Sequence, residues 1–430
     1  MSTLKAVRGT RDLLPPETAL WNRIEATARA VFARYNFGEI RTPVFEDTTL
    51  FARGVGEETD IVSKEMYTWE DRARAQSEKT QSLTLRPENT AGVVRAYIEH
   101  KLGETGQLQK LYYIGPQFRR ERPQKGRYRQ FSQIGAEVIG PQSSGSESPL
   151  RDAEVLEMLA TLLDELGIHG WVLELNSVGS STDRARYNEV LRTALQSVVS
   201  GMCADCQRRA ETNPLRVLDC KVPEDQPIID TLPKIADSLD EESKKHFAAV
   251  TAALDAAGVP YTRNHRLVRG LDYYTRTTFE FTHSGLGAQN ALLGGGRYDG
   301  LSEAIGGPKA PGIGFAMGED RLVLTLQALQ SETESKADAF IAPLGESVNP
   351  AALALARELR RQGLSVEIGD GSFRLKKSFE AADKTARRIV ILGEDELQSG
   401  ILTVKTFASG IQTKVPRAEL AAFLAKPAAE

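Results

Sequence analysis

Two alternating stretches on either side of a basic turn constrain this chain more than any other feature. LQKLYYIG (108–115) and QFSQIGAEVIG (130–140) send apolar and polar residues to opposite faces at period two, as half-buried strands do. Between them lies FRRERPQKGRYRQ (118–130), in which Arg119, Arg120, Arg122, Lys125, Arg127 and Arg129 crowd around Pro123 and Gly126. The pattern predicts a long antiparallel hairpin with cations gathered at its turn. Such a cluster repels itself unless solvent, an acidic partner or a phosphate answers it.

Those cations are local. The 430 residues carry a formal net charge of −4, so the chain is not a generally basic coat for nucleic acid. Any polyanion must be met by restricted patches. No apolar run reaches the roughly 20 residues needed to cross a bilayer, and MSTLKAVRGTRDLLPPE has no apolar core like a secretory signal. Three cysteines, an odd number, argue against a disulfide framework. A cytosolic location is therefore expected, with no membrane association.

The organisation reads as an α+β block followed by a small α/β domain. A helix is expected over LWNRIEATARAVFARY, then an extended IRTPVFE (40–46), a polar loop tip at DRARAQSEKTQS (71–82), a strand SLTLRPE and a helix NTAGVVRAYIEHKL. PQSSGSESP (141–149) reads as a flexible connector before the amphipathic RDAEVLEMLATLLDELGI. From about 180 to 259 the pattern turns helical and more polar, suggesting an inserted subdomain. Strand patterns return in LVRGLDYYTRTTFEFTH, followed by ALLGGGRYDG and GIGFAMGEDRLVL. The first block is placed at 1–328, a linker at 329–337, and at 338–430 a small α/β domain of alternating strands and helices, with parallel strands.

Several motifs are weak by themselves. GIGFAMG (312–318) lacks dinucleotide-loop spacing, and no GxxxxGK[ST] is present. Cys203, Cys206 and Cys220 would need a fourth ligand to hold zinc, and no histidine lies nearby, so reduced thiols are expected and no protein-held metal. The arginines say more. Arg119 stands where a strand meets the basic turn, Arg269 lies in LVRGLDYY and Arg321 opens the helix of GEDRLVL. Each could be a surface or ion-paired arginine; together, three guanidinium forks could clamp a polyphosphate. Glu88 and Glu137 occupy strand-like positions where a buried charge needs a partner, either an arginine or a cationic ligand.

Taken together, these segments resemble the class II aminoacyl-tRNA synthetases, and among them the histidyl-tRNA synthetase family. RTPVFEDTTLFARGVGEETDIV is similar to the dimer-forming first class motif, FRRERPQKGRYRQF to the second and GIGFAMGEDRLVL to the third; LVRGLDYYTRTTFEF and GGGRYDGL are peculiar to the histidine branch. The resemblance implies an antiparallel sheet flanked by helices, an inserted helical domain and a C-terminal α/β domain that binds the anticodon. It implies ATP as substrate with Mg2+ on its phosphates, L-histidine and a tRNA as further substrates, and a homodimer.

Residue roles follow from the same resemblance. Arg119 matches an arginine on the α-phosphate of ATP, Arg321 one on the γ-phosphate and Arg127 a second γ contact. Arg269 matches a branch-specific arginine opposite the α-phosphate, which also meets the substrate carboxylate. Glu88, Thr90 and Gln133 match positions holding the α-amino group. Glu137 and Tyr274 match those bonding the imidazole nitrogens, with Tyr273 alongside. Glu121, Arg122, Gln124 and Lys125 are placed to meet the tRNA acceptor end, and RLKKS (374–378) with KTARR (384–388) the anticodon loop. A rival reading is a catalytically inactive relative that senses histidine. Such relatives lack the C-terminal domain and lose motif arginines, whereas Arg119, Arg269 and Arg321 are present here. A proline- or threonine-specific enzyme is the other rival, and LVRGLDYYTRT speaks against it.

Overall fold

The computed structural model describes residues 3–56, 59, 61–71, 80–124, 126–271, 273–286, 290–329 and 336–426, which cluster into two compact units, Met1–Ser331 and Glu332–Glu430.

The first unit opens with helix α1 (Glu17–Arg34), whose Trp21, Ile24, Ala28, Val31 and Phe32 recur at helical spacing and are buried. Strand β1 (Gly38–Glu39) leads to β2 (Phe45–Asp47) and α2 (Thr48–Val55), which Asp47 caps by accepting from the Thr49 N–H at 2.8 Å. Strands β3 (Tyr67–Asp71) and β4 (Gln81–Leu85) pair antiparallel, and β2 joins them in a three-stranded sheet. The expected loop tip at 71–82 lies largely outside the described residues; its two ends are strand. Helix α3 (Thr90–Glu99) follows.

Strands β5 (Gln109–Phe118) and β6 (Gln130–Ile139) form the antiparallel hairpin, pairing from Gln109↔Ile139 to Phe118↔Gln130. Residues 141–149 are not a free connector. The Ser146 hydroxyl donates to the Gly140 carbonyl at 2.8 Å, the Ser146 carbonyl accepts from Arg297, and Ser148 caps helix α4 (Pro149–Glu165). Serine side chains can close local backbone bonds, which composition alone does not distinguish from a loose linker. Strand β7 (Val172–Ser177), helices α5 (Ser181–Gln196), α6 (Ala204–Thr212), α7 (Gln226–Ile229) and α8 (Glu241–Ala257) follow. Strands β8 (Thr262–Arg263), β9 (Thr275–Thr282) and β10 (Ala291–Arg297), the short helix α9 (Leu301–Ala304), strand β11 (Gly312–Gly318) and helix α10 (Glu319–Leu329) complete the unit.

The eight strands outside the small sheet run in the order β1-β5-β6-β11-β10-β9-β7-β8. Every neighbouring pair is antiparallel except the two edges, β1–β5 and β7–β8. Period two divides the sheet's faces. Ile134, Ala136 and Val138 of β6 and Ile313, Phe315 and Met317 of β11 enter the main core with α1, α4, α8 and α10. Full burial of a side chain such as Phe32 contributes about 1.5–3 kcal/mol. Gln133, Gly135 and Glu137 therefore face the other way, together with Gly312, Gly314, Ala316 and Gly318. Arg297 is fully buried, 3.5 Å from both Asp152 of α4 and Asp299, and so ties the glycine-rich β10 to the helical layer.

The inserted helical stretch has its own apolar cluster, from Val178 through Tyr187, Leu191 and Val217 to Leu239. Val250 and Leu254 of α8 belong instead to the main core, so that cluster is narrower than the polar, helical stretch in the sequence.

The second unit contains β12 (Ala339–Pro343), α11 (Asn349–Arg361), β13 (Val366–Ile368), α12 (Leu375–Thr385), β14 (Arg388–Leu392), α13 (Glu394–Ser399), β15 (Ile401–Thr406), β16 (Gln412–Pro416) and α14 (Leu420–Leu424). The expected parallel strands are present, β13 and β14 flanking β12, but the sheet is mixed, because β15 and β16 are antiparallel additions. A parallel crossover takes about a dozen residues or more; the stretch from Leu392 to Ile401 is too short to carry the chain back.

Candidate active site

Five of the predicted residues gather at the face of the main sheet turned away from α1 and α4. Arg119, Arg127, Arg269, Arg321 and Gln133 line one cavity of about 530 Å³ with Glu121, Phe131, Arg216, Asp219 and Glu280. Arg119 leaves the end of β5; its Nε donates to the Pro87 carbonyl at 2.9 Å and its guanidinium lies over the Phe131 ring, 5.3 Å from the centroid. Arg321 in the first turn of α10 donates to the Ala291 carbonyl at 2.7 Å. Burial pulls it below the usual arginine value, and Arg127 adds to the effect. Five guanidinium groups, Arg216 among them, thus converge from widely separated segments of chain, which is costly unless negative charge answers them.

The cavity's carboxylates partly offset that charge. Arg269 is paired with Glu280, Arg127 with Glu121 at 3.4 Å, and Asp320 with Arg11 at 2.9 Å, while Asp219 meets Lys221 at 3.3 Å.

On the same face of β6, four residues beyond Gln133, stands Glu137. It is fully buried and accepts from the Thr90 hydroxyl at 2.7 Å and the Tyr298 hydroxyl at 2.6 Å. Burial raises its carboxyl to about 8, against the pull of those two hydrogen bonds. Glu88 is also buried, with its oxygens engaged by the N–H groups of Thr90 at 2.7 Å and Ala91 at 3.0 Å at the start of α3; desolvation still raises it. Tyr273 and Tyr274 stack at 4.8 Å between centroids, and Tyr273 meets Tyr298 at 5.9 Å. The Gln133 Oε1 and the Tyr113 hydroxyl are buried with no hydrogen-bond partner among the described residues. Both atoms are free to accept or donate a further hydrogen bond.

Glycine makes room for these side chains. A Cβ on Gly314 would sit 1.7 Å from a Glu137 carboxylate oxygen, and one on Gly294 would sit 2.6 Å from the Arg269 guanidinium. Both strands are glycine-rich because acidic and cationic side chains lie flat on them.

Arg122 and Gln124 line a second hollow with Glu121, Pro123 and Arg127, closed at its tip by paired backbone hydrogen bonds between Gln124 and Arg127. Lys125 lies outside the described residues. In the second unit Arg374, Lys376, Lys377 and Lys384 are exposed on or beside α12. Arg388, expected to face RNA, does not: it is buried and donates to the carbonyls of Leu424 at 3.0 Å and Lys426 at 2.8 Å, so it holds the C-terminal helix. A short basic run does not reveal which residues lie on a strand that is covered on both sides.

The sequence reading also missed residues. Tyr298 lies within GGGRYDGL but received no role. Tyr113 stands opposite Gly135 in the hairpin, a register that tertiary pairing supplies. Glu280 lies within LVRGLDYYTRTTFEF but received no role, and Arg216 and Asp219 reach the cavity from a segment without a distinctive motif. Among the thiols, Cys203, Cys206 and Cys220 do have a fourth companion, the carboxylate of Asp225 rather than a histidine.

Comparison with known proteins decides the family. The family model described as Histidyl-tRNA synthetase matches residues 9–322, and that of an Anticodon binding domain matches 338–426. The chain belongs to the histidyl-tRNA synthetase family. A Histidine--tRNA ligase of Koribacter versatilis (strain Ellin345) is 73% identical over 422 residues, covering 98% of this chain and 96% of the relative. That of Solibacter usitatus (strain Ellin6076) is 56% identical, covering 98% and 99%. The crystal structure of apo S. aureus histidyl-tRNA synthetase superposes with a TM-score of 0.78 at 38% identity, covering 99% of this chain and all of that one. The class II architecture, a mixed sheet with an anticodon-binding domain after it, is shared with that synthetase.

Proposed function

We infer that this chain is an ATP-dependent histidine–tRNA ligase and that both of its steps run on the glycine-floored face of the main sheet. Histidine is activated to histidyl-adenylate with release of pyrophosphate, and is then passed to the 3′-terminal adenosine of its tRNA. One observation carries the assignment of the site: five guanidinium groups share a cavity with Gln133, and the buried Glu137 follows on the same strand face.

The residues act as follows. Arg119 and Arg269 lie on either side of the α-phosphate. As the histidine carboxylate attacks in line, charge grows on the non-bridging oxygens, and guanidinium groups already in place stabilise that state more than the ground state. Arg321 and Arg127 hold the γ-phosphate, and ATP brings Mg2+ on its β- and γ-oxygens. Glu88, Thr90 and Gln133 hold the α-amino group, which supplies the partner that Gln133 Oε1 lacks. Glu137 and Tyr274 bond the imidazole nitrogens beside Tyr273. A substrate lacking either nitrogen leaves a buried group unpaired, which discriminates by about 10⁴ or more without an editing step.

Arg122, Gln124 and Lys125 are proposed to meet the acceptor end, and the exposed Arg374, Lys376, Lys377 and Lys384 the anticodon loop. The chain is proposed to work as a homodimer in the cytoplasm. The exposed Val44, Phe45 and Trp69 near the first motif support the dimer, because clustered apolar groups at a surface favour association. No helix among the described residues is long and apolar enough to cross a membrane.

The test is exchange of labelled pyrophosphate into ATP by the purified chain. Exchange is expected with histidine; exchange with proline instead would reassign the substrate, and none with any amino acid would refute catalysis. Arg269→Ala should lower histidine-dependent exchange by about 10²-fold or more with an unchanged circular dichroism spectrum. Near-parental turnover would remove the role given to Arg269, and Arg269→His, shorter and less reliably charged, should be similarly impaired.

A further inference from the structure

The inserted subdomain contains a cluster that the aminoacylation chemistry does not use. Cys203 caps the N-terminus of α6 and Cys206 lies in its first turn, while Cys220 and Asp225 come from the segment leading into α7. One donor atom from each of the four lies within 4.8 Å of all the others, and Cys206, Cys220 and Asp225 are buried. We propose that Cys203, Cys206, Cys220 and Asp225 form a tetrahedral zinc site that clamps the inserted subdomain.

The distances match the chemistry. Zinc binds thiolate at about 2.3 Å and carboxylate oxygen at about 2.0–2.2 Å, so the edges of a tetrahedron are about 3.8 Å between two sulfurs and about 3.5 Å between sulfur and oxygen. The Cys203 and Cys220 sulfurs are 3.9 Å apart, and the Cys220 sulfur is 3.3 Å from Asp225 Oδ2. The thiols are not joined as disulfides. Two outer contacts orient the ligands. The Val222 N–H donates to the Cys220 sulfur at 3.4 Å, and the Cys203 N–H donates to Asp225 at 3.1 Å. Asp225 is 1% exposed and is met by the Cys203 N–H and by the thiols of Cys203, Cys206 and Cys220. Three thiols and one carboxylate facing one another make a convergent donor set of the kind that a structural zinc ion holds together. Three thiolates select zinc over magnesium or calcium. Binding releases three thiol protons and leaves the four-ligand centre with a net charge of about −2, as in other sites with four anionic ligands.

The clamp also has a place in the active site. The segment between the two ligand pairs carries Arg216 and Asp219 into the arginine-lined cavity, and Cys220 follows Asp219 directly. Zinc would fix that segment against α6.

Full-length protein expressed with supplementary zinc and then desalted is expected to hold about one zinc per chain by mass spectrometry of the metals. Anaerobic titration of the stripped protein with Co2+ should give the intense ligand-field bands of a tetrahedral centre with thiolate charge transfer. Cys206→Ala should lose both signals. Asp225→Asn, which keeps the shape but loses the anionic oxygen, should bind at least about tenfold more weakly, and Asp225→Cys should restore tight binding. Zinc near zero with no cobalt spectrum would overturn the proposal. So would zinc content and affinity unchanged in both Cys206→Ala and Asp225→Asn.

Discussion

Gly314→Ala should damage histidine recognition without replacing a substrate-facing side chain. The added Cβ would lie 1.7 Å from Glu137 Oε2, 2.5 Å from its Cδ and 2.8 Å from the Ala136 carbonyl oxygen. Backbone blocks retreat on one side, so the Glu137 carboxyl must leave its hydrogen bonds with Thr90 and Tyr298. Two buried hydrogen bonds lost at about 1–3 kcal/mol each give roughly 2–6 kcal/mol of lost stability. Displacing the group proposed to bind imidazole leaves a buried ring nitrogen of the substrate unpaired, about 1–3 kcal/mol, which corresponds to roughly 5–150-fold in kcat/KM for histidine. Pyrophosphate exchange over a range of histidine concentrations reads the second effect, and urea unfolding reads the first. The KM for ATP should change by less than about threefold, since the arginines do not rest on Gly314. Gly38→Ala, with no heavy atom within 4 Å, serves as the control. Parental kcat/KM for histidine in Gly314→Ala would refute the reasoning, because Glu137 would then be dispensable or free to move.

Three further outcomes follow from particular residues. The Glu137 carboxyl is raised to about 8, above the roughly 4.3 of an unfolded chain. Between those values the unfolded state binds fewer protons, so this group's contribution is present at low pH and is lost as pH rises towards 8. Glu137→Gln should therefore gain stability relative to the parent between about pH 5 and pH 8 in urea unfolding; a pH-independent difference would contradict the shift. Arg388→Ala should destabilise the second unit by about 2–4 kcal/mol by leaving the Leu424 and Lys426 carbonyls unpaired, and an unchanged unfolding midpoint for that unit would sink the claim. Arg127→Ala should raise the KM for ATP about tenfold and leave that for histidine unchanged, whereas an effect on histidine alone would move Arg127 out of its phosphate role.

Legibility differed from residue to residue. The β5–β6 hairpin was readable because one face meets a core and the other does not, which leaves period two in the letters themselves. Arg119 was readable for the same reason, standing where that alternation stops. The antiparallel β15 and β16 were not, since a strand's own sequence says little about its neighbour's direction. Ser146 and Arg388 misled for a common cause: polar residues look solvent-seeking until a particular backbone partner is known. Asp225 was missed because a lone aspartate five residues after a cysteine has no signature until folding turns it inward.

By itself, the sequence determined periodicity, the class motifs and the identities of the cations that a polyphosphate would require. These properties are local, written in neighbouring side chains. The tertiary structure decided which glycines lie beneath Arg269 and Glu137, which carboxylates answer which arginines, and that a carboxylate completes a group of three thiols. Those outcomes depend on strand register and on burial, which raise or lower the cost of a charge only once distant segments have met.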